Sequence, residues 1–237
     1  MQSSLNRRRF LSRSSLAAAG VALGVQGAVA DQESGVTPAD VVKILAISSS
    51  PREGMTTTKS LAVCLEAAKE VSPRIETELI ELAGLSIPAQ VAAGLPLREG
   101  ETDDFPALAA KLVDPKVRGI IIGSPVYFGC MSALCKGFLD RWGVLRKDYA
   151  LSGKVAGVLA VGSARNGGQE LTIQAIQAVL FCHELLMVGD GKPTGHRGAT
   201  VWNNKEWDDV TKDEVGMATV RNLGRRVAEV CLMVAKA

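Results

Sequence analysis

Apolar runs alternate with segments of helical periodicity between residues 41 and 235. Runs of this length predict buried strands, and apolar residues recurring every three or four positions predict helices that cover them. The predicted strands are Val41–Ile47, Arg74–Leu82, Val117–Gly123, Lys154–Val161 and Glu184–Val188. The predicted helices are Thr57–Val71, one from Thr102 to about Asp114, Met131–Lys147, Gln169–Cys182 and Thr211–Ala235.

Five strands that alternate with helices predict an α/β fold with one doubly wound parallel sheet and helices on both faces. We expect the strand order 2-1-3-4-5, with the second strand nearer an edge because it alternates apolar and polar residues. Ligands of such sheets bind beyond the carboxyl ends of the strands, at the switch between strands 1 and 3.

The loop after the first strand has the composition of an anion site. It offers the hydroxyls of Ser50, Thr56 and Thr57 and the charge of Arg52, at the start of a helix whose first N–H groups point outward. Neither the Gly-Lys-Ser/Thr of a P-loop nor G-x-G-x-x-G is present. A phosphate monoester suits these donors, but a Ser/Thr-capped helix after a proline turn would look the same.

The loops after strands 3 and 4 are shaped for the rest of a ligand. The first carries two aromatic rings between Pro125 and Gly129, and its backbone can meet a flat heterocycle edge-on. The second, 162–170, holds three glycines that allow close backbone approach. Either loop alone could be an ordinary strand-to-helix turn, but three such loops at one rim favour a ligand.

The first 30 residues predict an export signal. Arg7, Arg8 and Arg9 precede Phe10-Leu11 in a twin-arginine pattern, followed by a weakly apolar run that ends in Ala28-Val29-Ala30. A disordered basic tail is the alternative, and a run of 15 residues is too short to span a membrane, which takes about 20. We expect a signal peptide at 1–30, a linker at 31–40 and one domain at 41–237, exported to the periplasm.

Export changes the charge of the chain. Without the four arginines of residues 1–30, 23 basic and 25 acidic residues remain, a net charge of −2. No basic face is then left to indicate nucleic-acid binding.

The five cysteines and two histidines form no local metal motif. Cys64, Cys182 and Cys231 lie in apolar surroundings and are expected to be buried thiols. Cys130 and Cys135 are five apart, which does not align them on a helix and argues against a redox pair. His183, at a helix end, is expected to interact with the helix dipole. His196 is expected in a surface loop, with a role beside the bound ligand as the lesser alternative.

Two further segments lie outside the predicted elements. The irregular stretch 84–101 is long enough to cover a ligand or form a subunit contact. Trp202 and Trp207 suggest either a subunit contact or packing against their own domain.

Taken together, these motifs resemble the flavodoxin-like NAD(P)H-dependent FMN reductase and quinone reductase family, near its iron–sulfur flavoprotein branch. The resemblance rests on Ser49-Ser50-Pro51-Arg52 with Thr56-Thr57, on 124–129, and on 162–165 with Gly168-Gln169-Glu170. It also covers Gly198-Ala199-Thr200 and the closing helix. Iron–sulfur relatives carry clustered cysteines after strand 2, whereas residues 85–104 contain none here, which argues against a cluster relay.

The resemblance implies FMN as cofactor and NADPH or NADH as co-substrate. By position it implies a phosphate site made of Ser50, Arg52, Met55, Thr56 and Thr57. It also implies that the isoalloxazine is lined by Pro125, Val126, Tyr127, Phe128, Gly129, Ser163, Ala164, Arg165, Gly168 and Gln169. No catalytic residue and no metal ligand is expected, because the flavin carries the chemistry.

Three functions remain open at this point. The first is an FMN-dependent NAD(P)H oxidoreductase that reduces a quinone or a similar small acceptor. The second is a flavodoxin-like electron carrier without nicotinamide oxidation, which the mild charge disfavours, and the third is a flavin-free binding protein. The resemblance also implies a homo-oligomer, either a dimer or a tetramer.

Overall fold

A parallel sheet forms the centre of the protein, whose computed structural model describes residues 41–203 and 209–235. Its strands run in the order β2-β1-β3-β4-β5, and β6 also pairs with β4. This confirms the predicted order and fold class. The strands are β1 Val42–Ser48, β2 Ile75–Glu81, β3 Val117–Pro125, β4 Val155–Gly162, β5 Leu186–Met187 and β6 Ala199–Trp202.

The fifth strand position is split into two pieces. Leu186 of β5 pairs with Val155 at the start of β4, whereas β6 runs beside the end of β4, from Ala199 against Leu159 to Trp202 against Gly162. The segment 188–198 leaves the sheet between them. Sequence periodicity missed β6 because this segment, rich in glycine and proline, interrupts the apolar pattern.

Helices cover both faces of the sheet, as expected for a doubly wound fold. Alternate residues of β1 point to opposite sides of the sheet. Leu45 and Ile47 pack with α2 (Phe105–Val113), α3 (Ala133–Asp140) and α5 (Gln169–Phe181). Ile44 and Ala46 pack with α1 (Thr56–Lys69) and α6 (Glu214–Val234). Burial on both faces explains why the centre of β1, Ile44–Ile47, is apolar at every position. The helices are α1 Thr56–Lys69, α2 Phe105–Val113, α3 Ala133–Asp140, α4 Gly143–Arg146, α5 Gln169–Phe181 and α6 Glu214–Val234.

The single helix expected over 131–147 is broken. After Asp140 the backbone tightens, because Trp142 N–H donates to the carbonyl of Leu139 and Leu145 N–H donates to that of Trp142. These bonds close over three residues instead of four. The break separates α3 from the short α4 and leaves Trp142 fully buried in the core.

The long loop after β2 is fastened to α3. The Arg141 guanidinium makes two hydrogen bonds, of 3.0 and 2.7 Å, to the Asp103 carboxylate, and it stacks 4.7 Å above the Phe105 ring. Arg141 holds the pKa of Asp103 below its usual range by hydrogen bonding. Asp104 occupies the N-cap position of α2, but its carboxylate accepts from Ser86 N–H at 2.8 Å. The two acids therefore close this loop, while α2 has no side-chain cap from Asp104.

In the parts of the chain that the structure describes, we find no helix both long and apolar enough to cross a membrane. The expected signal peptide, the linker 31–40 and Trp207 lie outside the described residues.

Candidate functional site

The first loop places a helix N-terminus at the rim of the sheet. Met55 occupies the N-cap position of α1 and supplies no side-chain cap, so the first N–H groups of α1 are available to an anion. The Ser50 hydroxyl bonds to the backbone N–H and carbonyl of Arg52, which closes the turn. Thr56 and Thr57 are buried beneath it, and the Arg52 side chain lies at the surface.

Glu81, which sequence analysis did not single out, shapes this loop. Its carboxylate oxygen Oε2 accepts from Gly54 N–H at 2.9 Å and from the Thr58 hydroxyl at 2.8 Å. Glu81 is the last residue of β2, which lies beside β1. The predicted strand order already placed the end of the second strand next to the first loop, and that signal could have identified it.

The second loop is a tight turn that presents an aromatic ring. Tyr127 and Cys130 exchange both backbone hydrogen bonds, at 2.9 and 3.0 Å. Between them Phe128 and Gly129 have φ of 50° and 77°, the positive values that a type I′ turn requires. Phe128 is fully exposed, although a non-glycine residue in this conformation costs roughly 1 kcal/mol. The turn holds an apolar ring away from the core, at the rim of the sheet.

The second loop is also anchored at its base. Pro125 ends β3, and Val126 N–H donates to the carbonyl of Val161 at 2.9 Å. Both aromatic residues of the loop, Tyr127 and Phe128, are exposed. Only the short turn 127–130 therefore extends beyond the sheet, and the hydrogen bond of Val126 orients it.

The third loop is closed by Gln169 from beneath. The Gln169 side-chain amide donates to the carbonyl of Ala164 at 2.8 Å, and its oxygen accepts from Gly167 N–H at 2.9 Å. Gln169 is almost fully buried. Its side chain therefore stabilises the loop, and its expected contact with a flavin stays a prediction.

Trp202 packs against the third loop of its own domain. Its indole N–H donates to the carbonyl of Ser163 at 3.2 Å, and the Arg165 guanidinium lies 4.6 Å above its ring. Trp202 also ends β6. Trp202 therefore packs within its own domain, and its placement outside the core elements was wrong. The other reading of the sequence, a subunit contact, stays a prediction.

The three loops meet at one edge of the sheet. The Ser132 hydroxyl, at the start of α3, donates to the carbonyl of Ser49 in the first loop at 2.7 Å. A Cβ atom on Gly168 would lie 2.7 Å from the Gly129 Cα atom, so the second and third loops touch through two glycines. All the residues predicted for the site belong to these three segments.

The cysteines differ in how deeply they are buried. Cys130 is exposed and Cys135 is buried, and burial raises the pKa of the Cys135 thiol to about 12. A thiol in this state is a poor nucleophile, so the pair lacks the reactive thiolate of a redox couple. Cys64 and Cys231 are buried as expected, whereas Cys182 caps the exposed end of α5 and is exposed, which corrects the prediction.

His183 is buried in the core. Its ring packs edge-on against Trp142, with centroids 5.6 Å apart. Burial, and then the charge of Arg146, lowers the pKa of His183. The lowered pKa disfavours the charged imidazole that would interact with a helix dipole, and the dipole role of His183 stays a prediction.

Comparison with known proteins agrees with this α/β architecture. A family model described as NADPH-dependent FMN reductase matches residues 42–199. The chain belongs to this family, and the protein is an FMN-dependent oxidoreductase that uses a nicotinamide co-substrate.

Individual relatives carry related names. An iron–sulfur flavoprotein from Methanocaldococcus jannaschii is 40% identical over 198 residues, which cover 82% of this chain and 100% of that protein. An NAD(P)H dehydrogenase (quinone) from Archaeoglobus fulgidus is 34% identical over 112 residues, 47% of this chain and 58% of that protein. The apo structure of an NADH:FMN oxidoreductase shares the fold, with a TM-score of 0.59, 20% identity and coverage of 80% and 90%.

Two observations indicate that the rim of the sheet can accommodate FMN. The α1 N-terminus has no side-chain cap from Met55 and is surrounded by hydroxyls, which are the donors that a phosphate takes. The contact between Gly168 and Gly129 leaves bare backbone where a Cβ would intrude. Within the described ranges, no group of three or more His, Cys, Asp or Glu side chains is arranged to hold a metal ion.

Proposed function

We propose that this protein is an FMN-dependent NAD(P)H oxidoreductase that passes electrons from a nicotinamide to a quinone or a similar small acceptor. The observation that carries the proposal is the closure of three loops around one edge of the sheet, at Ser49–Ser132 and Gly129–Gly168. The A. fulgidus relative, named NAD(P)H dehydrogenase (quinone), supports the choice of acceptor.

The loops have distinct roles in this proposal. The N-terminus of α1, with Ser50, Thr56 and Thr57, would hold the FMN phosphate, and Arg52 would offset its charge from the surface. The turn 125–129 and the segment 163–168 would border the ring system. Bound there, FMN would supply the chemistry of hydride acceptance and electron release. The protein would contribute orientation, polarity and exclusion of water.

We further propose that electron transfer here does not use an iron–sulfur cluster in the loop after β2. Residues 85–104 contain no cysteine. The Arg141–Asp103 ion pair and the Ser86–Asp104 hydrogen bond hold this loop instead. Iron and acid-labile sulfide analysis of the purified protein tests this point, and stoichiometric iron would contradict it.

The main test is spectroscopic. Purified protein should show the two visible absorption bands of oxidised flavin and, mixed anaerobically with NADPH or NADH, should lose them within one turnover time. Loss of the bands followed by their return on addition of 1,4-naphthoquinone-2-sulfonate supports the proposal. A flavin that neither nicotinamide bleaches, but that dithionite does, would identify the electron carrier instead.

A pair of arginine variants tests the phosphate site. Arg52→Gln should weaken FMN binding by roughly three- to tenfold, because a surface charge beside a phosphate contributes about 1 kcal/mol. Arg98→Gln is the matched control, since Arg98 lies at the surface of the loop after β2. Equal FMN affinity of the two variants would show that Arg52 does not contribute to phosphate binding.

We also propose export by the twin-arginine route, which rests on the sequence of residues 1–30 alone. Conversion of Arg7 and Arg8 to lysine should leave the precursor in the cytoplasm. Periplasmic recovery of the unchanged double variant would argue against the route.

We propose a homo-oligomer as well, because Phe128 is an apolar side chain held fully exposed at the site. Light scattering of the eluting protein measures the mass, and a monomer at micromolar concentration would contradict the proposal.

A further inference from the structure

The segment 188–198, where the chain leaves the sheet between β5 and β6, is built around a buried carboxylate. Asp190 is fully buried and accepts from the His196 backbone N–H and the Thr194 hydroxyl. The Asn222 amide of α6 in turn donates to the Thr194 hydroxyl at 3.0 Å. These bonds give the segment a defined shape even though it belongs to no strand or helix.

Asp190 also orients the His196 ring. The Nδ1 atom of His196 lies 3.1 Å from the Asp190 carboxylate, so Nδ1–H donates to that carboxylate. In the imidazolium form of the ring, Nε2–H is the second donor and is left for a ligand oxygen. The side chain of His196 is 45% exposed, whereas that of Asp190 is 0% exposed. A buried carboxylate behind a half-exposed imidazole is the arrangement that positions a histidine toward a ligand.

His196 lines a cavity of about 370 Å³ between this segment and the third loop. The cavity shares Arg165, Gly168 and Gln169 with the proposed flavin rim. Its volume falls in the range typical of small-molecule sites, roughly 300–1,000 Å³. A ligand in it would therefore lie next to the third loop.

The lining of the cavity selects a class of ligand. Arg165, Asn166 and His196 can donate hydrogen bonds, and Leu171 supplies an apolar surface. Gln169 is already committed within its own loop, and Glu170 is the one carboxylate among the lining residues. Donors beside an apolar wall fit a flat, apolar molecule with carbonyl oxygens.

We infer that this cavity is the binding subsite for a carbonyl-bearing electron acceptor of the quinone class, with His196 as the residue that hydrogen-bonds the acceptor oxygen. Asp190 is the positioning residue behind it. The inference rests on the proposed function and adds to it the location of the acceptor and a residue that recognises it.

The chain is well suited to a direct test because it has only two histidines. Protein labelled with ¹⁵N-histidine, holding FMN and free of nicotinamide, is titrated with 1,4-naphthoquinone-2-sulfonate while the imidazole NMR signals are recorded. The His196 signals, assigned with His196→Gln, should shift and saturate, and those of the buried His183 should stay in place. This readout involves no turnover.

Calorimetry of the same probe gives the second measurement. His196→Gln should bind it at least fivefold more weakly, whereas Arg197→Gln should bind it as the wild type does, because Arg197 is adjacent in sequence but is not among the residues that line the cavity. In steady state His196→Gln should raise KM for the quinone, whereas Arg197→Gln should leave it unchanged.

Three outcomes would overturn the inference: no binding of the probe, saturable binding without movement of the His196 signals, or equal affinity in wild type and His196→Gln. If His196→Gln fails to fold, His196→Asn provides the assignment, and the wild-type titration still decides. Failure of the proposed function is a separate result, seen as a flavin that no nicotinamide bleaches.

Discussion

The Ser132 hydroxyl bridges two elements that lie far apart in the chain. It donates to the carbonyl of Ser49 at 2.7 Å and accepts from Cys135 N–H at 3.0 Å, so one oxygen both caps α3 and holds the first loop. Ser49 is tied in addition to Gly123, through its own N–H and hydroxyl. The first and second loops are thereby positioned by a shared, fully buried set of hydrogen bonds.

Ser132→Ala should lower the free energy of unfolding by about 1–3 kcal/mol, because it removes a helix cap and leaves a buried carbonyl without its donor. FMN should also dissociate faster, since the first loop loses its tie to α3. Urea unfolding and flavin release measure the two effects. Ser152→Ala removes an exposed serine and should change neither; a Ser132 variant that matches it would contradict the bridge.

Gly168 should tolerate no side chain. Its φ is 101°, and a Cβ there would meet the Gly129 Cα atom at 2.7 Å. Gly153 is a matched control, because its φ is 75° and no atom lies within 4 Å of its Cβ position. Both alanine variants lose roughly 1 kcal/mol of stability to the positive φ.

Only Gly168→Ala should separate the second and third loops and weaken FMN binding, by roughly tenfold or more, equivalent to about 1.4 kcal/mol. Fluorescence titration of the apoprotein with FMN provides the measurement. Equal FMN affinity in the two glycine variants would show that the contact does not shape the site.

Glu81 presents two opposing effects on the proposed phosphate site. Its negative charge disfavours a phosphate, but its carboxylate holds Gly54 N–H and the Thr58 hydroxyl in place. We expect the positioning effect to dominate, so that Glu81→Ala weakens FMN binding, while Glu81→Gln, which keeps an acceptor oxygen, retains it. Glu76, exposed on the same strand, gives the control variant Glu76→Ala. Tighter FMN binding by both Glu81 variants would show that charge repulsion is the larger effect.

The Arg141–Asp103 pair should make stability depend on pH in acid. Arg141 lowers the folded-state pKa of Asp103 below its ordinary 3.8. A carboxyl with a lowered folded-state pKa stabilises the fold above its ordinary pKa and loses that contribution as the pH falls through the lowered value. The free energy of unfolding of the wild type should therefore fall as the pH is lowered below the ordinary pKa of 3.8.

Arg141→Met should flatten that dependence and cost about 3 kcal/mol near neutral pH, because it strands a mostly buried carboxylate. Lys136→Met breaks an exposed pair with Asp140, whose side chains are 52% and 41% exposed, and should cost less than about 1 kcal/mol. Chemical unfolding at a series of pH values tests both. Parallel pH curves for wild type and Arg141→Met would contradict the assignment.

The order of strands and helices and the three loops at the rim could be predicted from the sequence alone. Buried parallel strands such as Val117–Pro125 must be apolar on both faces, and a parallel sheet brings the carboxyl ends of its strands to one edge. Local composition therefore sufficed to identify the loops around Ser50, Tyr127 and Arg165.

The contacts that hold the site together are visible only in the folded structure. Three examples are Glu81 beneath the first loop, Gln169 inside the third loop and the Asp190–His196 pair. In each, the hydrogen-bond partners lie on another segment or across a turn. The sequence also did not predict the split of the fifth strand or the packing of Trp202 against Arg165. Side-chain hydrogen bonds and ring contacts depend on three-dimensional distance, which periodicity along the chain does not encode.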